Sequence, residues 1–406
     1  MTANTLGTLF GPVAIRRCVY ECLEPGEPCC WPLELRLGVV AGLATPALAE
    51  RISRWSADHE QLAVLALLRA EHGISWSVAS IRKVTAAVGD ETAEPGQKAR
   101  VQRLVQLLTE AERSHGPHRP TLACGRDGVM VPIRGNGYQE AATGTVSVHD
   151  RRGKRLGTVY LGRMPEPGQQ HLTDQMTAML KDVLTVWHAL GRLCPRLVYL
   201  SDGGHHPQHF FHRVLARLTD PWRPNQHLPW QWTLDFYHAC GHLWSVAEAL
   251  FEESPAAWAW YRRMRHWLRH RENAVADILR SASQHENRQG LTGRRRKSFG
   301  TAYRYLRRHT RWMNYAAQKR VRLPIGSGVT EAACKTVFAA RLKRSGMTWG
   351  IEGGQVIVDL RVLVLSRAWD ATYAGYLKAQ RLPEPTSYQP IYRINMQTAQ
   401  KSNGLE

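Results

Sequence analysis

Arg196-Leu197-Val198-Tyr199-Leu200 is short and almost wholly apolar, and it leads directly into Ser201-Asp202-Gly203-Gly204. A strand points successive side chains to opposite faces, so one without polar alternation is covered on both sides and belongs at the centre of a sheet. The flanking sequence supplies that sheet. Strand patterns occupy Thr121–Met130, Tyr138–His149 and Arg155–Leu161, the last two joined by the turn Asp150-Arg151-Arg152-Gly153-Lys154. Met176, Met179, Leu180, Val183, Leu184, Trp187 and Leu190 recur at helical spacing across Asp174–Leu193. A helix over His209–Leu218, a strand over Gln231–Asp235 and a helix from near His238 to Phe251 follow. The order is three strands, helix, strand, helix, strand, helix. It predicts an α+β or α/β fold, with a mixed sheet and flanking helices over 121–251.

The segments on either side have different patterns. Residues 1–88 carry a strand pattern at Val13–Tyr20, a turn at Pro25, Gly26 and Pro28, then helices over Pro46–Trp55 and Glu60–Glu71. After the break at His72-Gly73, Ser75 or Ser77 caps a further helix through Ile81, Val84 and Val88. Two helices joined by a short turn, with Arg82 and Lys83 outward on the second, fit a helix-turn-helix and equally an ordinary helical hairpin; the basic context favours DNA contact. Gly89, Pro95 and Gly96 mark residues 89–97 as a linker, and a helix from Lys98 to about Glu112 completes the stretch 89–120. Residues 252–322 read as helical, basic and rich in tryptophan (Trp258, Trp260, Trp267, Trp312), an insertion that interrupts the strand-bearing domain. Residues 323–382 supply two long helices split near Gly346–Gly354, and 383–406 read as an irregular tail.

Lys and Arg number 54 against 34 Asp and Glu, a formal charge of +20 spread along all 406 residues. Such an excess favours a polyanionic partner, because each phosphate neutralised by Lys or Arg releases condensed counterions. Met1–Leu9 show neither a basic leader nor a long apolar run, and Asp359 and Arg361 interrupt the apolar stretch Val356–Leu365. A soluble cytoplasmic protein with reduced thiols, no membrane partner and association with the nucleoid is expected. Cys18, Cys22, Cys29 and Cys30 leave two readings, a zinc site or free cysteines, and the adjacent second pair is poor geometry for two ligands on one ion.

Three acids stand out against this basic background. Asp127 follows Cys124-Gly125-Arg126 at the end of the first strand, and Asp202 ends the fourth. If those strands are neighbours, both carboxylates emerge at one edge. Glu331 follows Gly326-Ser327-Gly328-Val329-Thr330, where Ser327 can cap a helix that crosses the same edge. An Asp before Gly is usually a turn former, so each acid alone says little; their joint placement after apolar strands says more. Two Mg²⁺ ions held by three carboxylates would activate an attacking oxygen and stabilise a leaving oxygen in phosphodiester chemistry, and Mn²⁺ accepts the same hard ligands. Asp235 is an alternative third ligand to Glu331.

Three passages resemble a known family. Leu200-Ser201-Asp202-Gly203 is followed 33 positions later by Asp235-Phe236-Tyr237-His238, similar to an Asp/Cys-x-x-His motif. Ile325 to Lys335 resembles the motif carrying the family's last glutamate, and Arg341-Leu342-Lys343-Arg344 through Asp370 resembles its C-terminal block. The family is the bacterial insertion-sequence transposases of the DDE type, specifically the ISKra group related to Mutator-like transposases. Loosely, the likeness extends upstream through Pro32–Gly38 to the helix-turn-helix. It implies a ribonuclease H-like catalytic core, cleavage of element ends and strand transfer into target DNA. It also implies Asp127, Asp202 and Glu331 as the metal-binding triad, with double-stranded DNA and a homo-oligomer as partners. A domesticated DNA-binding regulator and a nuclease without strand transfer are the alternatives.

Around that triad, His238 is read either as a residue of the site, orienting a phosphate or carboxylate, or as a structural histidine. His205, His206, His209 and His212 fit phosphate contact or solvation better than zinc. The run Arg294-Arg295-Arg296-Lys297 reads as a phosphate clamp, and Lys335, Arg341, Lys343 and Arg344 join it and Arg82–Lys83 as the expected DNA-facing cations. The insertion tryptophans are expected mostly in the core, with one able to stack on an unpaired base.

Overall fold

A computed structural model describes residues 1–20 and 29–380. The expected turn at Pro25–Pro28, Cys22 and the tail from 383 lie outside the described residues. The chain opens with a hairpin, β1 (Thr2–Thr8) and β2 (Gly11–Arg17), rather than the single strand expected at Val13–Tyr20. Helices α1 (Pro32–Leu37), α2 (Pro46–Asp58), α3 (Gln61–His72) and α4 (Val78–Glu91) follow. Gly73 ends α3 in the left-handed conformation that glycine adopts without strain, and Ser77 Oγ caps α4 by accepting from Ser80 N–H at 3.2 Å. Arg82 and Lys83 are exposed on α4, while Ile81, Val84 and Val88 face inward.

The expected linker is absent. Residues 93–97 open α5 (Ala93–Arg113), with Thr92 alone separating it from α4. Pro95 sits in the first turn, where backbone N–H groups have no helical acceptor to lose. A side chain at Gly96 would stand 3.0 Å from Leu363, and one at Gly375 would stand 3.2 Å from Pro95. What looked like breakers are therefore close-packing positions.

Strands β3 (Thr121–Ile133), β4 (Gly137–His149) and β5 (Arg155–Arg163) form an antiparallel meander. Then come α6 (Gln170–Ala189), β6 (Arg196–Ser201), α7 (His205–Arg213), the small hairpin β7 (Thr219–Asp220) and β8 (Arg223–His227), β9 (Gln231–Leu234) and α8 (Phe236–Phe251). The main sheet has the order β5-β4-β3-β6-β9, with β6 parallel to both β3 and β9. As its composition demands, β6 lies centrally with Leu197 to Ser201 buried. Leu104, Leu107 and Leu108 of α5 and Met176, Met179 and Leu180 of α6 fill the core on one face.

Residues 252–322 are helical: α9 (Pro255–His270), α10 (Ala274–Gln289), α11 (Gly293–Arg308) and α12 (Tyr315–Arg320). They build a core of their own against α8, centred on Leu243, Trp260, Met264, Ile278, Phe299 and Leu306. The chain then returns through α13 (Gly328–Ala333), which continues through a π-helical turn at Cys334–Ala339 into α14 (Ala340–Leu342). Two further helices, α15 (Ile351–Leu365) and α16 (Trp369–Ala379), end the described chain. The split expected at Gly346–Gly354 lies at 343–350; Gly353 and Gly354 belong to α15, where a side chain at Gly354 would meet Met164 Cε at 2.5 Å.

The expected boundary between the N-terminal module and the C-terminal helices does not separate two cores. Leu360, Leu363, Trp369, Tyr373 and Tyr376 share one apolar cluster with Leu48, Ile52, Leu68, Ile81 and Val88. Leu360 and Leu363 look toward those N-terminal helices, while Ile357, Val358 and Val362 of α15 pack with Val131, Met164 and Val337. Among the described residues no helix is long and apolar enough to cross a membrane.

Strand β3 and helix α13 meet at Gly125. A Cβ on Gly125 would collide with Thr330 Oγ1 and stand 3.0 Å from Leu200 O, and Thr330 Oγ1 shares a 2.8 Å hydrogen bond with Thr145 Oγ1. Gly125→Ala is expected to lift α13 and to cost about 1–3 kcal/mol of stability, measured by urea unfolding; an unchanged midpoint would show that the contact yields freely.

Candidate active site

The register of the sheet sets the position of the two aspartates. Parallel pairing of β3 with β6 ends at Gly125 opposite Leu200, and two residues further along each chain stand Asp127 and Asp202. Asp127 does not end its strand, as the sequence suggested. β3 runs on to Ile133 against β4, and what stops at Gly125 is its pairing with β6. Alternation puts Asp127 on the face of Gly125, toward α13, and sends Arg126 to the opposite face. There Arg126 donates to Thr173 Oγ1 at 2.7 Å and Gln169 Oε1 at 3.0 Å, with its guanidinium 4.7 Å from the Phe210 ring centre. The neighbouring cation is thus spent elsewhere and does not neutralise the acids.

Asp202 begins a tight turn. Its Oδ1 accepts from Gly204 N–H at 2.9 Å, and Gly203 takes φ +82°, so the turn-forming reading of Asp-Gly-Gly is satisfied by the residue that also presents a carboxylate. Asp127 Oδ1 accepts from Gly128 N–H at 2.8 Å, and the Cys334 thiol approaches its other oxygen at 3.5 Å. Glu331 stands on the first turn of α13, exposed, three residues before Cys334 and so on nearly the same helical face. Burial raises the Asp127 carboxyl above the usual range, and Asp202 and Glu331 push it the same way, against the hydrogen bonds from Gly128 and Cys334. The three acids thus share one field. The Cys334 thiol is pushed up to about 12, by burial first and then by Asp127.

Asp235 occupies a different place from a third ligand. It is fully buried at the N-terminus of α8. Its Oδ1 accepts from His238 N–H at 2.5 Å, and its Oδ2 accepts from both Ser327 N–H and Ser327 Oγ, the latter at 2.9 Å. Phe236 N–H donates to Ile325 O at 2.9 Å and Asp235 N–H to Ser201 O at 2.8 Å. Both carboxylate oxygens are engaged, and the residue bolts the end of β6 and the start of α8 to the loop that launches α13. Ser327 stands at the N-cap position of α13 as expected, but its hydroxyl donates to Asp235 instead of accepting from the helix, because a buried carboxylate is the stronger partner.

The exposed His238 lies beside an aromatic group that the sequence did not single out. Tyr305 of α11 donates from its hydroxyl to Asp202 O at 2.6 Å and stacks on His242 with ring centres 3.7 Å apart. Ring centres of His238 and His309 lie 5.5 and 4.5 Å from that of Tyr305. Burial, then the neighbouring His238 and His309, pull His242 down to about 4. Burial, then Asp202 and Asp235, raise the Tyr305 phenol far above its ordinary value. The only sequence signal for Tyr305 is its place on the basic face of an amphipathic helix.

Other expected site residues scatter. Arg295 is committed to Glu252 and to the carbonyls of Ala249 and Leu250, and Arg341 is buried against Ser56 O. Arg344 donates to Asp58 O at 3.0 Å and Ala340 O at 2.9 Å, so these three arginines are structural. Arg294, Arg296, Lys297, Lys335 and Lys343 remain exposed. His212 packs against Trp232 and Trp312, apart from any cluster of the α7 histidines, and Trp260 is core while Trp258 is half exposed against Trp244. Cys18, Cys29 and Cys30 are exposed. Among the described residues no three His, Cys, Asp or Glu side chains gather to cage one ion.

The chain matches no protein-family model and no curated protein.

Asp235→Ala would leave three donors unpaired in the interior, and a loss of at least about 3 kcal/mol in chemical denaturation is expected. A loss under about 1 kcal/mol would show that the site does not depend on this bolt.

Proposed function

We propose that the chain is a DNA transposase of the DDE type, with Asp127, Asp202 and Glu331 as the acids of the reaction. One observation carries the reading: two half-buried aspartates stand two residues past the last pairing of the adjacent parallel strands β3 and β6, and Asp202 and Glu331, the latter on the helix packed across those strands, both disfavour the charged form of Asp127. Sheet order β5-β4-β3-β6-β9, with three antiparallel strands followed by two parallel ones, is compatible with a ribonuclease H-like core.

A divalent cation fits this arrangement. The donors are hard carboxylate oxygens, and the field that raises the Asp127 carboxyl is one that a cation would relieve. Mg²⁺ needs only one or two carboxylates per ion, completing its shell with waters and substrate phosphate oxygens, so a closed three-ligand cage is not required. Held by Asp127, Asp202 and Glu331, such ions would polarise the phosphodiester and favour in-line attack. Asp127 Oδ1 is held by Gly128 N–H within β3 and Asp202 Oδ1 by Gly204 N–H in the turn that follows β6. Glu331 rides on α13, whose approach Gly125 permits and Asp235 anchors. Cys334 lends Asp127 a weak S–H donor and keeps its carboxylate turned toward the helix. The charge of +20 and the exposed cations Arg82, Lys83 and Lys335 support a nucleic-acid partner, which this reading takes as double-stranded DNA.

The test is strand cleavage and joining on a labelled duplex carrying the end of the encoding element, with Mg²⁺ or Mn²⁺. Asp127→Asn, Asp202→Asn and Glu331→Gln should each reduce both steps by about a hundredfold or more, since charge stabilisation by bound ions contributes several kcal/mol to the barrier, while DNA binding persists. Binding without metal-dependent cleavage in the native chain would favour a regulator, and cleavage without joining a nuclease.

A further inference from the structure

Helix α11 closes one side of the acid site through Tyr305, and the same turns of that helix carry a row of cations. A cleft of about 620 Å³ is lined by Thr301, Arg304, Tyr305, Arg307, Arg308 and His309. Thr301, Arg304, Tyr305 and Arg308 fall at three- and four-residue spacing, so they share one face of the helix. Arg304, Arg307 and Arg308 are exposed, and among the described residues none of them pairs with a carboxylate, whereas Arg295 on the same helix is held by Glu252. Tyr305 joins this cleft directly to the acids through its bond to Asp202 O.

A second, independent feature lies in the same wall. The His309 ring is 5% exposed; its Nδ1 lies 2.9 Å from Tyr305 O, and its Nε2 is buried with no partner. A carbonyl can only accept, so Nδ1 carries the hydrogen, and in the neutral ring Nε2 is a bare acceptor. That atom lies toward Gly203, 3.4 Å from where a Cβ on Gly203 would be. Nε2 is therefore covered within the wall beside the Asp202–Gly203 turn rather than open to the cleft.

We propose that this cleft binds the phosphodiester backbone of the nucleic-acid strand adjoining the bond at the acids, with Arg304 and Arg308 on its phosphates. The proposal rests on the transposase reading for the identity of the strand. The insertion thereby becomes half of the substrate channel, and the distance between cleft and acids is set by the Tyr305–Asp202 bond.

Binding of a fluorescent duplex, and of the corresponding single strand, is measured by anisotropy across a salt series with EDTA present, so that no cleavage intervenes. Arg304→Gln/Arg308→Gln should weaken binding of at least one of the two probes and flatten its dependence of log K on log salt by about two, one per arginine. Arg113→Gln/Arg192→Gln removes the same charge at the ends of α5 and α6, on the sheet face opposite α13, and should leave that slope nearly unchanged. Equal losses from both arginine pairs, or none from the cleft pair, would overturn the proposal. All these side chains are exposed, and circular dichroism checks each fold. Cleavage by Asp202→Asn equal to the native chain would sink the transposase reading while leaving the binding result to decide the cleft.

Discussion

A single buried carboxylate holds together parts of the chain that are far apart in sequence. Asp235 receives hydrogen bonds from His238 N–H, Ser327 N–H and Ser327 Oγ, while its own N–H reaches Ser201 O. The end of β6, the start of α8 and the loop before α13 therefore meet at one group. Some 90 residues, α8 and the helical insertion among them, leave and return between the two sides of this bond. An unpaired ion there would be costly to bury, so the folded state is tied to the arrangement that satisfies it. The helix that carries Glu331 starts from this fastened return point.

Close packing supplies the rest of the precision. Gly125 lets Thr330 lie directly on β3, and the Thr145–Thr330 hydrogen bond fixes the height of α13 over the sheet. On the far side of that helix, α15 faces both the sheet edge and the N-terminal helices, so the module bearing Arg82 and Lys83 is welded to the sheet layer rather than tethered to it. Arg361 strengthens the weld, donating to Thr336 O and Ala57 O and pairing with Asp58.

The cations divide into two populations. Arg126, Arg295, Arg341, Arg344 and Arg361 satisfy carbonyls, hydroxyls and carboxylates within the protein. Arg304, Arg307 and Arg308 do not pair with a carboxylate among the described residues, and they line a cleft next to Asp202. Arg304 also donates to Gly300 O, and with Arg307 and Arg308 it sets positive charge beside Asp202. That juxtaposition suits a backbone of phosphates passing over acids that need a counter-charge of their own.

Much of the sheet was legible in the sequence, because strand periodicity and an apolar central strand are local properties: β3 to β6 and β9 all fall within a few residues of their patterns. The same holds for the helical insertion and for Ser77 as a cap. Local pattern misread 89–97, since Gly and Pro there serve contacts with Leu363 and α16 that only the folded chain creates. Strand β1 and the hairpin β7–β8 escaped, their polar strands carrying little alternation. The candidate acids could be named from their settings after apolar strands, yet whether Asp235 was ligand or bolt depended on which donors surround it. Likewise a run of basic residues does not say which are free: Arg295 and Arg308 lie on one helix, and their different roles follow from the carbonyls and carboxylate near the first and the open cleft near the second. By itself the sequence determined the elements, their order and the chemical groups at their ends, because these follow from periodicity and residue type. The tertiary structure alone decided which polar groups are satisfied by the protein and which are left facing outward, because hydrogen-bond partners across 90 or 100 residues are set by packing.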